Sequence, residues 1–462
     1  MLENDYATTH TTIEDALSHR SGLPRHDLSY GGPDDTPASI TCRIRDLPLT
    51  AEPRTRFQYC NIMFGVMTHV LETLIGSRME DILHDNFWKP LGMLSTTFDL
   101  KSALTGRSRL ARGYYWNTTD SDDATESHKC NYVPDPYIDI LPISGAGATI
   151  STVNDYALWT KALLDAAKWE KDNAYNESSP ITSAMLKDLF SPRTIILDAA
   201  DQENSTLPIT GTYGLGWLLI DLYGTRVVYH SGGLTGFGTQ LYLLPDLGYG
   251  VVTMGNTAGT SNEAGAVIAS KLIADKISVS TAGTSSEADV RTSLLGIHHT
   301  LSGNAPAKRR KQYSRRAQQH PQLQADLISP AGDIESFIGM YTHPAYGNLN
   351  ITLSSMQGVS AGGNPVLEVL LYSRMWPNQI RLSHVNGNHF HAKYFAPHGL
   401  GNITTGEGIA WEFLDDAIAT FESNFSGEID RFGLEIEDEM VDAAEEKGQK
   451  YWREGLVWFD KV

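Results

Sequence analysis

Between residues 213 and 256 the chain carries the short apolar runs YGLGWLLI, RVVYHSG, TQLYLLP and YGVVTMGN. They have the length and β-branched or aromatic content of strands. The last two are joined by the turn PDLG at 245–248, whose proline, aspartate and glycine favour a tight reversal. The helical pattern NEAGAVIASKLIADKI follows at 262–277. A sheet and then a covering helix form a unit that buries one face of the sheet, and this constrains the chain more than any other pattern in it.

Upstream, NIMFGVMTHVLETLI at 61–75 places Ile62, Val66, Val70 and Leu74 at helical intervals, with Gly76 as the C′ residue. A second helix is expected around 153–164, with Asn154 or Asp155 as its cap. Residues 278–330 turn to Ser, Thr, Gln and Arg with little periodicity and read as a linker with some helix. From 333 strand-like runs return: YGNLNITL, VLEVLLY, QIRLSHV, NHFHAKY, IAWEF, AIATFES and EIDRFGLEI. VNGN at 385–388 signals a type I′ hairpin, because Asn-Gly tolerates positive φ. So many strands in so short a stretch predict an antiparallel barrel or sandwich. The fold class is α+β, with domains at 1–277 and 333–462 joined by a linker at 278–332.

With 41% hydrophobic and 20% charged residues among 462, the chain is ordinary globular material. Its net charge of −19 repels phosphate backbones, which argues against a nucleic-acid partner. The basic run KRRKQYSRR at 308–316 reads as a solvated linker helix. No window is long and apolar enough for a membrane helix. MLENDYATTHTT has no signal-peptide core, so the chain as written is expected in the cytoplasm. Sequons at Asn117, Asn176, Asn204, Asn350, Asn402 and Asn424 would matter only in a secreted form. Cys42, Cys60 and Cys130 match neither a disulfide framework nor a zinc site.

Two stretches carry chemistry. YHSGGLTG at 229–236 ends a strand, and its glycines let backbone N–H groups approach a developing oxyanion. His230, just before them, has the residue type to orient a carboxylate or move a proton. RFQYCNIMFG at 56–65 sets the polar pair Tyr59 and Asn61 at a helix start. These stretches do not stand alone. ALSHRSGLPRHD (16–27), FQYCN (57–61), PLGM (90–93), ISGAGATISTVNDYALW (143–159) and YHSGGLTGFGTQLYLLPDLGYGVVTMGNT (229–257) follow one another in order.

In that order and at those separations they resemble the serine β-lactamase and penicillin-binding-protein-like superfamily, in the branch of class C-type esterases, D-aminopeptidases and transesterases. The resemblance covers roughly residues 8 to 275, and the C-terminal part is similar to the lipocalin-like barrel appended to some members. It implies a β-lactamase-like α/β domain, N-terminally incomplete, before that barrel. It also implies Tyr59 as the general base, its pKa lowered by neighbouring cations. Asn61 is implied as the substrate and lysine anchor. His230-Ser231-Gly232 would stand for Lys-Thr-Gly, with Gly232 and Gly233 binding substrate and the oxyanion. The chemistry implied is serine hydrolysis or acyl transfer through an acyl-enzyme, on an ester or amide and of esterase, transesterase or peptidase type. The substrate would be a small molecule such as a secondary metabolite. No metal or organic cofactor is implied, and assembly of copies through the barrel is open.

One departure is large. The nucleophile and lysine of such proteins lie in Ser-x-x-Lys, one turn apart on a helix, and the spacing occurs nowhere in this chain. Ser183 has Lys187 one place too far, and Ser21 and Ser144 have no lysine partner. The chain is therefore expected to be either a truncated version of an active hydrolase or a non-catalytic ligand-binding protein of the same fold. Truncation is the preferred expectation, because the lacking segment would supply strands and a buried helix. His10, His19 and His26, and also His384, His389 and His391, are expected to be structural rather than metal ligands. Trp217 and Trp411 are expected in the core.

Overall fold

The strand-like runs of 213–256 are apolar at consecutive positions, and the sheet they form is buried on both faces. The computed structural model describes residues 1–105, 110–117, 131–171, 179–197, 210–280, 286–302, 333–354 and 365–462. Cys130, the sequons at Asn176 and Asn204, the basic run at 308–316 and most of the expected linker lie outside the described residues. A six-stranded antiparallel sheet runs in the order β3 (Thr194–Leu197), β4 (Gly211–Tyr213), β5 (Leu218–Leu222), β6 (Thr225–Leu234), β7 (Phe237–Leu244) and β8 (Tyr249–Gly255). The two-stranded ribbon of β1 (Tyr114–Asn117) and β2 (Asn131–Pro134) precedes it.

Side chains alternate between the two faces of a strand, and both sets here are apolar. Leu218, Ile220, Val227, Tyr229, Tyr242 and Leu244 pack on the helix Ala258–Ser280 through Ala269, Ile273, Ala274 and Ile277. Leu219, Val228, Leu241 and Leu243 pack on the helix Val153–Lys171 through Ala162, Leu163, Ala166 and Ala167. The alanines let the helices lie close to the sheet. Part of the expected linker, Glu287–Ser302, is a helix whose Val290, Leu294 and Ile297 join the first of these cores.

The helix Asn61–Ile75 begins and ends where its periodicity predicts, and Gly76 takes φ 75°. It crosses the short helix Ser144–Gly147 so closely that a Cβ on Gly145 would lie 2.6 Å from the Phe64 carbonyl oxygen. The cap of the helix Val153–Lys171 differs from expectation. Thr152 Oγ1 accepts from the Asp155 amide at 3.2 Å, while the Asp155 carboxylate accepts from the Ser95 amide and the Thr96 hydroxyl.

The C-terminal strands close into an eight-stranded antiparallel barrel. In chain order they are β9 (Gly339–His343), β10 (Gly347–Leu353), β11 (Leu367–Leu370), β12 (Gln379–Asn386), β13 (His389–His398), β14 (Ala410–Ser423), β15 (Ile429–Leu434) and β16 (Val457–Lys461). β9 and β16, the pair that closes the barrel, have no counterpart in the sequence reading, and two expected strands fuse into β14. Phe337, Tyr341, Phe390, Phe421, Phe432 and Phe459 fill the interior. The hairpin at 385–388 is not type I′: Gly387 (φ 53°) has positive φ but its asparagine neighbours do not, the pattern of a type II′ turn. His389 and His391 alternate with the buried Phe390 and Ala392, and Trp411 is half-buried.

The barrel and the first domain interlock through buried polar contacts. His26 accepts from the Tyr346 hydroxyl at 2.5 Å and donates to the Pro48 carbonyl. His398, on β13, binds Asp135 at 2.8 Å and Glu412 at 2.9 Å and stacks flat on Tyr115. Burial would lower the His398 pKa, but hydrogen bonds to the two carboxylates outweigh it and push it up to about 9. A histidine whose pKa is raised on folding stabilises the protein fully below its unfolded value, and that contribution is lost as pH rises through the folded value. Thermal stability is therefore expected to fall between pH 7 and 9.5. H398A, which leaves Asp135 buried and unpaired, should cost about 3–5 kcal/mol at pH 6.5 and flatten that pH dependence. Denaturant melts across this range check both, and an unchanged profile in H398A would remove the clamp.

Candidate active site

A cleft of about 1190 Å³ lies between the sheet and the helical layer. Its walls include Arg25, Tyr59, Asn61, His230, Ser231, Gly232 and Gly233, so chain segments distant in sequence converge there. Tyr59 sits two residues before the first helical residue, Asn61. Among the described residues neither the Tyr59 hydroxyl nor the Asn61 carboxamide has a hydrogen-bond partner, which leaves both available to a ligand.

The loop carrying Tyr59 is held from below. His19 Nδ1 accepts from the Cys60 amide at 3.0 Å, and the His19 carbonyl accepts from the Gln58 amide at 2.8 Å. The His19 ring lies 4.2 Å from the Tyr59 ring. It is 1% exposed, and burial, with help from His230 and Arg25, pushes its pKa down to about 3. It is thus a neutral support for the loop, and among the described residues no cluster of metal-ligating side chains occurs. His19 takes φ 55°, an uncommon conformation for a non-glycine residue. The cost is offset by the surrounding bonds: buried Asp15 holds Arg20 at 2.7 Å and Arg54 at 2.9 Å, and Arg54 N–H donates to the Arg20 carbonyl.

His230 shares its strand face with Val228 but lies past the cover of the helix Val153–Lys171, so it opens on the cleft. Its Nδ1–H donates to the Ser231 carbonyl at 2.6 Å, which leaves Nε2 to accept from the Tyr213 hydroxyl at 3.1 Å. Burial holds its pKa below the ordinary value despite the Ser231 bond. The imidazole is neutral and its tautomer is fixed by its neighbours.

The glycines do not follow the end of a strand. β6 continues through Leu234, with Gly232 opposite Thr239 and Gly233 opposite Gly238, before a two-residue turn at Gly236. A Cβ on Gly232 would stand 2.6 Å from Thr239 Cγ2, so a side chain there would have to displace the Thr239 methyl. Asn262 Nδ2 donates to the Gly232 carbonyl at 3.0 Å.

Arg25 is the cationic side chain among the described wall residues. Its guanidinium is 5.2 Å from the Tyr59 ring centre and binds Asp27 at 2.9 Å, and Asp27 in turn accepts from the Tyr30 hydroxyl. The expected lowering of the Tyr59 pKa does not occur. Burial raises it, and the opposing pull of Arg25 is the smaller effect. The sequence reading did not single out Arg25, Tyr213 or Trp376, all of which line the cleft. It placed His19 among structural residues without its role under Tyr59. Trp217, expected in the core, is half-buried and also lines the cleft.

Comparison with known proteins identifies the family of the chain. The β-lactamase family profile matches residues 2–276. Unguisins hydrolases of Aspergillus campestris and Aspergillus violaceofuscus are 34% and 33% identical to the chain over 76% of its length. The chain spans about 60% of the length of these curated relatives. An octameric penicillin-binding protein homologue from Pyrococcus abyssi aligns over 94% of this chain and 81% of its own, at 16% identity and a TM-score of 0.43. With a matching profile over more than half of its residues and hydrolases among its relatives, the chain belongs to the β-lactamase family.

Proposed function

We propose that the cleft is an acyl-transfer site for an ester or amide, with Tyr59 as base, Asn61 as substrate anchor, His230 as neutral proton relay, and Gly232 and Gly233 at the oxyanion; an acyl-enzyme would need a nucleophile beside Tyr59, which no Ser-x-x-Lys in this sequence supplies. The observation that carries this reading is the convergence of Tyr59, Asn61 and His230 on one cleft, with the tyrosine and asparagine uncommitted there. The Aspergillus relatives are named for hydrolysis of unguisins. By that likeness the substrate class is a secondary metabolite bearing an amide or ester, and the apolar walls around Phe64, Ile143, Trp159 and Trp217 suit such a compound.

A second reading has its own support. The sequence has no Ser-x-x-Lys, no lysine is among the described wall residues, and the Tyr59 phenol is protonated at neutrality. In this reading the cleft binds the same class of compound without turning it over.

Stopped-flow mixing of the full chain with p-nitrophenyl acetate separates the two. Acyl transfer predicts a burst approaching one nitrophenolate per chain, its rate constant lowered about 100-fold or more in Y59F, the scale of general-base loss. Saturable binding without a burst establishes the binding reading instead.

The pH profile tests the assigned roles. His230 is neutral at and above its ordinary pKa, so its titration adds no step above pH 6.5. Tyr59 titrates above its ordinary 10, so a reaction that uses its phenolate should quicken about tenfold per pH unit from pH 7 to 9. A flat profile would exclude Tyr59 as base.

A further inference from the structure

The cleft has a wall that the β-lactamase-like domain does not supply. Trp376 belongs to the barrel, on the loop 371–378 between β11 and β12, and lines the same cavity as Arg25, Tyr59 and Asn61. The loop is seated on the first domain. Met375 N–H donates to the Gly31 carbonyl at 2.8 Å, and a Cβ on Gly32 would come within 3.0 Å of the Ser373 carbonyl oxygen. Within the loop, the Leu371 amide donates to Asn378 and Asn378 Nδ2 donates to the Trp376 carbonyl at 2.9 Å. Leu371 and Met375 are buried. Pro377 biases the Trp376 backbone toward an extended conformation.

The indole is therefore presented on a short, doubly anchored loop. Its ring centre lies 6.5 Å from that of Tyr30, whose hydroxyl holds Asp27, the partner of Arg25 over Tyr59. A chain of contacts thus runs from the barrel loop to the candidate base. A rigid aromatic wall loses little conformational freedom when a ligand packs on it, and it favours ring edges or faces over small aliphatic groups.

We propose that the barrel completes the substrate site: Trp376 is a specificity-determining wall that selects compounds carrying an aromatic or similarly planar apolar group next to the ester or amide bound in the cleft. This rests on the reading of the cleft as an ester or amide site and names a feature of its ligand. It makes the barrel part of substrate recognition.

Calorimetric titration of the full chain with N-acetylphenylalanine amide and N-acetylalanine amide tests it without requiring turnover. The phenylalanine derivative should bind about five- to tenfold more tightly, and W376A should bring the two within about twofold, with the alanine derivative unaffected. W376F should keep the preference. W376L, which keeps bulk without a π-face, should lose it, and this variant decides the matter where W376A does not reach the parent's melting midpoint. Equal binding of both ligands by the parent overturns the inference alone. So does a preference that survives in folded W376A or W376L, or a loss that falls equally on both ligands. A parent chain that binds neither derivative overturns the reading of the cleft as well.

Discussion

The site depends on the bonds between residues 15–22 and the loop 52–60. Asp15 is fully buried, and its carboxylate is one of the least tolerable groups to leave unpaired in an interior. Burial alone would raise its pKa, but bonds from Arg54, Thr12 and Arg20 outweigh that and keep it ionised. Once these charges are matched, the main chain at His19 is fixed. The His19 carbonyl and ring nitrogen then take up the amides of Gln58 and Cys60 on either side of Tyr59. The phenol is thus oriented by its neighbours' backbone bonds and keeps its own hydroxyl for the cleft.

The barrel bears on the neighbouring segment 25–31, whose Arg25 lies over the Tyr59 ring. His26, Asp27, Tyr30 and Gly31 all touch the barrel directly or through one partner, and Arg25 lies among them. His26 is neutral because burial pushes its pKa down to about 4, so its two nitrogens can serve one acceptor and one donor without a net charge in the interface. Such contacts specify a docking geometry more strongly than apolar packing alone, because each misplacement strands a buried polar group. The apolar core runs through both parts without a break, from Ile62 and Ile143 to Phe337 and Phe432. A linker can join domains that move independently; this interface argues for parts that stay together.

Much of the fold was legible because it rests on period and punctuation. The helix Asn61–Ile75 follows from its apolar spacing and Gly76, and β6 to β8 follow from their apolar runs and the PDLG turn. The misses have local reasons. β9 and β16 close the barrel by pairing ends far apart in sequence, a contact that no short window contains. The cap at Thr152 was overlooked because Asp155 is the better capper in isolation, but its carboxylate is drawn away by Ser95 and Thr96. Tyr59, Asn61 and His230 were legible from their motifs. Arg25 and Trp376 in the cleft wall, and His19 beneath Tyr59, were not, because their positions depend on packing between segments.

The electrostatics of the cleft are more restrained than its residue types suggest. A tyrosine acts as a base near neutrality only where neighbouring cations outweigh the cost of burying its phenolate. Here Arg25 is the nearby cation, but Asp27 neutralises much of its field, and His230 is held neutral by burial and a committed tautomer. A further positive charge near the Tyr59 hydroxyl would act against burial, since the interaction of close charges rises steeply as water is excluded. The Ser-x-x-Lys pair would bring such a charge together with a nucleophile. Within this cleft as its described residues form it, burial outweighs Arg25 and the Tyr59 phenol stays protonated at neutrality.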